Sequence, residues 1–227
     1  MIRMNSVENY LGLGNGIYTI PEIANILRLP YYKVNNWVNK YWDGRLGAAF
    51  EKSYSWKIDD TRAVSFHTLI EFYVFYQFAE VGVRTNKVLD AHIELTRHFN
   101  TLFPFAKSNI LKNIRTDGKR IYLQINNLII SLDGTKQLNL DFIDIFFRNL
   151  EFDDELLACK YWPLGKNNDI LVDPKRQFGH PVIGETNIFP EAIYEMYKGG
   201  EPIPFIASLY GISEKAVNDA IIFCGAA

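Results

Sequence analysis

In the stretch PEIANILRLPYYKVNNWVNKYW, residues Tyr32, Asn36 and Asn39 recur at the spacing of one helical face, flanked by Lys33, Asn35 and Lys40. Short amides and long cations on an exposed helix are the groups with which a helix reads DNA. Asn can bond adenine at two points in the major groove, and Lys or Arg can meet guanine or phosphate. The neighbourhood adds charge. Between Ile26 and Ile58 the basic residues are Arg28, Lys33, Lys40, Arg45, Lys52 and Lys57, against only Asp43 and Glu51. Such a local excess in a chain of net charge −2 marks a docking face, not a polycation. We assign Tyr32, Lys33, Asn35, Asn36, Asn39 and Lys40 to the groove, and Arg28, Arg45, Lys52 and Lys57 to backbone or wing contacts. The alternative is a helical hairpin with an ordinary solvated face.

A second set of reactive residues lies in DPKRQFGHPVIGE, where Asp173, His180 and Glu185 are acid/base candidates. Its glycines and prolines have the look of tight-turn punctuation, so His180 is read as a bonded turn residue. The four histidines (67, 92, 98 and 180) lack the i, i+3 or i, i+4 spacing of helical metal ligands. No Gly-rich phosphate loop, GxSxG elbow or HExxH motif occurs. The expectation is a protein that is not an enzyme, with no cofactor and no metal. Cys159 and Cys224 form neither a disulfide framework nor a CxxC site, which favours a reducing compartment.

The elements that must hold these residues follow from periodicity and caps. Thr19, Pro21 and Glu22 suit the start of a short helix, which Pro30 breaks. A second helix is expected from about Tyr31 to Tyr41, burying Val34, Trp37, Val38 and Tyr41. WDGRLGAAF should turn, and KSYSWKIDD should form a β-hairpin wing. Two longer helices, 65 to 80 and 85 to 99, carry caps at Ser65 and Thr85. After Pro104 the period changes to two: SNILKNIRTDGKRIYLQINNLIISLDG suggests strands, turning at Asp117-Gly118 and ending at Asp133-Gly134. LDFIDIFFRNL suggests a short helix and ELLACKYWPL a strand. Short extended pieces then lead to helices near 190 to 198, 202 to 210 and 213 to 223. With 227 residues, 48% apolar and 15% aromatic, the chain has material for two packed domains. MIRMNSVENY lacks the apolar core of a signal peptide, and Glu71, Gln77 and Glu80 interrupt the most apolar segment. A cytoplasmic protein with no membrane partner is expected.

The pattern of the first helix pair returns near the other end. PFIASLYGISEKAVNDAI repeats Pro, Ile, Ala, Val and Asn of PEIANILRLPYYKVNNWV at the same spacing. Its charges differ, since between Pro202 and Phe223 the only basic residue is Lys215. Phosphate repels such a face, so this copy is assigned to packing or dimerisation.

YTIPEIANILRLPYYKVNNWV, the wing and VSFHTLIEFYVFYQFAEVGVRTNKVLDAHIEL together resemble a MerR-like winged helix–turn–helix. The segment from Asp173 to Ile221 is similar to the small domain called domain of unknown function 433. The matching residues are Asp173-Pro174, Gly179, Pro181, Ile183 and Gly184, with Glu185 standing before Thr186 as a departure. The combined order resembles two-domain VapB-type antitoxins.

The resemblance implies an α+β, mainly helical chain in three parts. Residues 1–104 would be the winged helix–turn–helix, 105–168 a β-rich connection, and 169–227 a homeodomain-like three-helix domain. It further implies a dimeric autorepressor that binds operator DNA and neutralises a PIN-domain ribonuclease toxin. The alternatives are a MerR-like regulator without a toxin and a protein–protein scaffold with vestigial helix–turn–helix folds.

Overall fold

A computed structural model describes residues 15–58, 60–116, 121–125, 128–131 and 142–225. The architecture is mixed helix and sheet, and it is organised around one long helix. Strand β1 (Tyr18–Thr19) leads into α1 (Ile20–Leu27), whose start is held by Glu22. Its carboxylate accepts from the Thr19 N–H at 2.7 Å and from Thr19 Oγ1 at 2.6 Å. Arg28, in the left-handed region, ends α1, and Pro30 sets the chain for α2 (Tyr31–Asn36).

The helix does not stop near Tyr41. It continues as a π-helical stretch (Trp37–Leu46) and a last turn, α3 (Gly47–Phe50), so WDGRLGAAF is helix and not the expected turn. The wider winding shifts the buried face by one residue. Trp42 and Leu46 are fully buried, while Tyr41 is only partly covered. Gly44 fits this winding, because a Cβ there would stand 2.8 Å from the Asn39 carbonyl oxygen.

Strands β2 (Ser55–Ile58) and β3 (Thr61–Val64) form the expected hairpin, and β1 adds to it antiparallel in the order β1-β3-β2. Ser65 then caps α4 (Phe66–Glu80), accepting the Thr68 N–H at 3.4 Å. This helix is buried almost all round, with Phe66, Leu69, Phe72, Tyr73, Phe75 and Phe78 in the core. α5 (Thr85–Phe99) starts from Arg84 and not from a Thr85 cap. The two are joined through Glu71, which is wholly buried. One of its oxygens meets His92 Nε2, and the other accepts the Phe105 N–H at 2.8 Å. A buried carboxylate with each oxygen partnered fixes α4, α5 and the Pro104–Ala106 turn in one geometry.

Ser108–Leu111 makes a single helical turn (α6) where alternation suggests strand; Ser108, Ile110 and Leu111 are all buried there. The period of two begins at β4 (Ile114–Thr116), which joins β5 (Ile121–Ile125) and β6 (Leu128–Ser131) in an antiparallel meander. The expected turns at Asp117-Gly118 and Asp133-Gly134 lie outside the described residues. Helix α7 (Phe142–Asn149) and the strands β7 (Leu150–Phe152) and β8 (Ala158–Tyr161) return the chain to α4, where the tilted rings of Tyr73 and Tyr161 meet with centroids 4.9 Å apart.

A second, smaller core follows. β9 (Ile170–Leu171) and β10 (Val182–Ile183) pair beneath α8 (Pro190–Lys198), α9 (Ile203–Tyr210) and α10 (Glu214–Gly225). Its interior is Ile170, Ile183, Ile193, Ile206, Val217 and Phe223. No helix among the described residues is long and apolar enough to cross a membrane.

The two cores meet at a polar seam along α1. Gln177 and Phe178 both take positive φ, which lets the Phe178 carbonyl accept the Ile17 N–H at 2.9 Å. At Gly179 a Cβ would fall 2.1 Å from the Tyr18 hydroxyl. Arg28 Nη2 donates to the Ile222 carbonyl at 3.1 Å, near the end of α10. His180 lies between two carboxylates, with Nε2 3.3 Å from Glu191 and Nδ1 4.0 Å from Glu22. Glu191, then Glu22, holds the His180 pKa up at about 9 against partial burial. Burial pushes both carboxyls up, but His180, together with Thr19 at Glu22 and a backbone N–H at Glu191, holds both below their usual range.

A raised imidazole pKa stabilises the fold fully below the unfolded value of 6.5, and the contribution is lost as pH rises through about 9. Unfolding free energy should therefore fall between these two pH values, and His180→Gln should flatten that slope in urea titrations. Equal slopes in both proteins would contradict the seam as described.

Candidate nucleic-acid interface

Burial of Val34, Trp37, Val38, Trp42 and Leu46 decides which side of the α2 helix faces out. Trp37 and Trp42 set their rings against Phe72 and Phe75 of α4 at centroid distances of 4.5 to 5.8 Å. Tyr32, Asn36, Asn39 and Lys40 are left exposed, Tyr32 by 70%. Among the described residues, Tyr32, Asn36 and Lys40 have no hydrogen-bond or ion-pair partner for their side chains, so each is available to a ligand.

The other expected contacts divide. Asn39 donates both amide hydrogens to Asn35, one to the backbone carbonyl and one to Oδ1, each at 2.8 Å. A backbone carbonyl can only accept, so the atom of Asn39 facing it is nitrogen, and Asn39 has only its oxygen to offer outward. Asn36 keeps both donor and acceptor. Lys33 is half-buried, its ammonium lying 5.6 Å from the Trp37 ring and 4.9 Å from Tyr76. Arg45 is drawn to α5, bonding Asp90 at 2.5 Å and Asn86 at 3.3 Å. Arg28 is held at the seam with α10. Lys52 is half-buried beyond α3 with no ion pair among the described residues, and Lys57 is exposed on β2.

The hairpin is set beside the helix by one carboxylate. Asp43 Oδ1 accepts the N–H groups of Tyr54 at 2.8 Å and Ser55 at 3.1 Å. Its Oδ2 accepts from Ser55 Oγ and from Arg62 Nη1, the latter at 2.6 Å. Asp43 counts in the sequence as a charge against DNA, but its acceptor capacity is taken up inside the fold. Lys57 pairs across the hairpin with Arg62. Between helix and hairpin runs an open groove of about 310 Å³, lined by Tyr31, Asn35, Asn39, Lys57, Asp60 and Arg62 together with Ile20 and Thr61. Asn35, Asn39 and Lys57 thus share one groove, whereas Arg28 and Arg45 lie elsewhere.

Tyr31 and Arg62 join this groove without having been singled out. Tyr31, at 52% exposure, belongs to the same helical stripe as Asn35. Arg62 could be found only from the register of the hairpin.

The acid/base candidates do not assemble. Asp173 and Glu185 both engage Arg176, while His180 is occupied by Glu191 and Glu22.

In overall fold the chain is similar to the protein described as Rv2018 from Mycobacterium tuberculosis, solved by X-ray crystallography. The TM-score is 0.68 at 14% identity, over 93% of this chain and 99% of that one, a likeness of fold alone. A search of curated proteins finds no match.

Removing the Asp43 carboxylate leaves two backbone donors without a partner, at about 1–3 kcal/mol each where water cannot replace it. Asp43→Ala should speed amide hydrogen exchange of Tyr54 and Ser55 and across β2–β3, while α4 stays protected. Unchanged exchange in the hairpin would contradict Asp43 as its anchor.

The second core, with the Asp173-Pro174 and Gly179–Gly184 opening, coincides with residues 170–224, which match the family described as "Protein of unknown function (DUF433)".

Proposed function

We propose that this chain binds double-stranded DNA in a sequence-specific manner, with α2 in the major groove and the β2–β3 hairpin on the adjoining backbone. The observation that carries this reading is the exposed face of Tyr32, Asn36, Asn39 and Lys40, backed by buried tryptophans and flanked by Lys57 across one groove. In this reading α1 and α2 with the hairpin form a MerR-like winged helix–turn–helix, and α8–α10 a homeodomain-like unit. Phe205 and Leu209, 50% and 58% exposed on α9, support a self-association face in the second unit, and a dimer would read an inverted repeat. The resemblance to two-domain antitoxins extends the proposal: an autorepressor that neutralises a PIN-domain ribonuclease.

The two amides have different tasks. Asn36 can pair with adenine at two points. Asn39 offers an acceptor alone, and so meets an exocyclic amine of cytosine or adenine. Selection of duplexes from a random pool by the full chain tests this. Asn36→Ala should lose about 1–3 kcal/mol of preference at one base pair. Asn35→Ala frees one hydrogen of Asn39 and should alter the preferred base at a second position while binding persists. Lys57→Gln should weaken all duplexes alike and lower the salt slope by about one. An unaltered preference in Asn36→Ala/Asn39→Ala would refute the assignment.

For the partner, co-purification with the product of an adjacent PIN-domain gene, and inhibition of its nuclease activity, is the expected result. Full nuclease activity in the presence of excess chain would leave a regulator without a toxin.

A further inference from the structure

A second basic site lies far from α2 in sequence, where the end of α7 meets the turn after β8. The cleft measures about 480 Å³, within the range of roughly 300–1,000 Å³ common for small-molecule sites. Arg148 and Asn149 form one wall, and Pro163 to Asn168 the other. Among the described residues no carboxylate lines it. Its two cations, Arg148 and Lys166, have no ion-pair partner among the described residues. Two flanking acids among the described residues are committed elsewhere: Glu151 holds Lys160 at 3.2 Å, and Asp169 holds Lys215 at 3.2 Å. Neither of these two acids is therefore spent on the cations of the cleft.

The walls are also fixed in advance. Lys166 N–H donates to the Arg148 carbonyl at 3.1 Å, and Trp162 N–H to the Asn149 carbonyl at 2.8 Å. Asn149 Nδ2 returns a bond to the Trp162 carbonyl at 2.7 Å, and Asn168 Nδ2 bonds the Leu164 carbonyl at 2.6 Å. Gly165, at φ 86°, makes the turn between them. Lys166 rests its ammonium 5.5 Å from the Trp162 ring, which restrains it at the cleft. With an amide hydrogen of Asn149 and of Asn168 bonded inward, both side chains keep their oxygens as acceptors. The cleft thus offers a guanidinium fork and an ammonium for an oxyanion, and amide oxygens for hydroxyl or amine donors beside it.

We propose that this cleft is an anion site for a phosphate-bearing ligand, one whose phosphate meets Arg148 and Lys166 and whose adjacent hydroxyl or amine donors meet Asn149 and Asn168. The source is either a phosphorylated small molecule or a nucleic-acid backbone, and this site does not depend on the reading of the α2 face.

The test is calorimetric titration of the full chain with inorganic pyrophosphate, with ATP and with a short DNA duplex, in parallel with variants. Saturable binding is expected, and Arg148→Gln and Lys166→Gln should each weaken it about tenfold or more, since each removes a charge-assisted contact. Asn36→Ala should leave pyrophosphate and ATP binding unchanged. Binding of pyrophosphate or ATP identifies a small phosphorylated ligand. A duplex contribution lost in the cleft variants, with no binding of the small anions, identifies backbone phosphate. No binding of any probe, or wild-type affinity in the Arg148→Gln/Lys166→Gln protein, would overturn the proposal. Loss of duplex selection in Asn36→Ala with intact anion binding would separate the two sites.

Discussion

The candidate site depends on the acceptor bonds of Asp43. A helix face can offer Asn and Lys wherever its apolar side is buried, but a groove needs a second wall at a fixed distance. Asp43 supplies it by accepting two backbone hydrogens and the Arg62 guanidinium from the hairpin while standing in the π-helical stretch. The extra residue per turn in that stretch matters as well, because it puts Trp42 against α4 and so settles which way Asp43 faces. The same charge that would repel phosphate if exposed is neutralised by Arg62, so that Lys57 and Lys40 set the potential of the face against the one groove-lining acid among the described residues, Asp60.

The two echoing helix pairs have a common packing plan and opposite surfaces. In α1–α2, Ile23 and Val34 are buried; in α9–α10, Ile206 and Val217 take the matching places. The outer residues then diverge. Lys215, the one basic residue of the second pair, is bound by Asp169 and Asp219, and Asp219 also accepts the Asp169 N–H. These charges of the second pair are thereby spent within its own unit, and at the seam its Ile222 carbonyl receives Arg28 from the first. The seam sets the second unit against α1, the first helix of the pair that carries the candidate groove.

Much of this order was legible in the sequence, and the gaps have physical causes. Thr19, Glu22, Pro30 and Ser65 mark helix ends through local hydrogen bonding and fixed φ, which is why α1, α2 and α4 start where expected. The glycines of WDGRLGAAF suggest a turn, yet Gly44 is there because the π-helical backbone leaves no room for a side chain. SNIL alternates like a strand but follows the Pro104 turn as helix, held by burial of three of its four residues. Arg28 and Arg45 count as positive charge in any local sum, and only tertiary structure reveals that the Ile222 carbonyl and Asp90 engage them. The cleft at Arg148 and Lys166 was invisible for the same reason, since a chain turn brings its two walls together.

The central claim is that the α2 face distinguishes one DNA sequence from another. The most direct measurement is the ratio of affinities of the full chain for a duplex it selects and for a scrambled duplex of equal composition, at physiological salt. The account predicts a ratio of at least about a thousand, as expected where base edges are read as well as phosphates. A ratio near one would mean that the face binds DNA by charge alone, or not at all, and would contradict it.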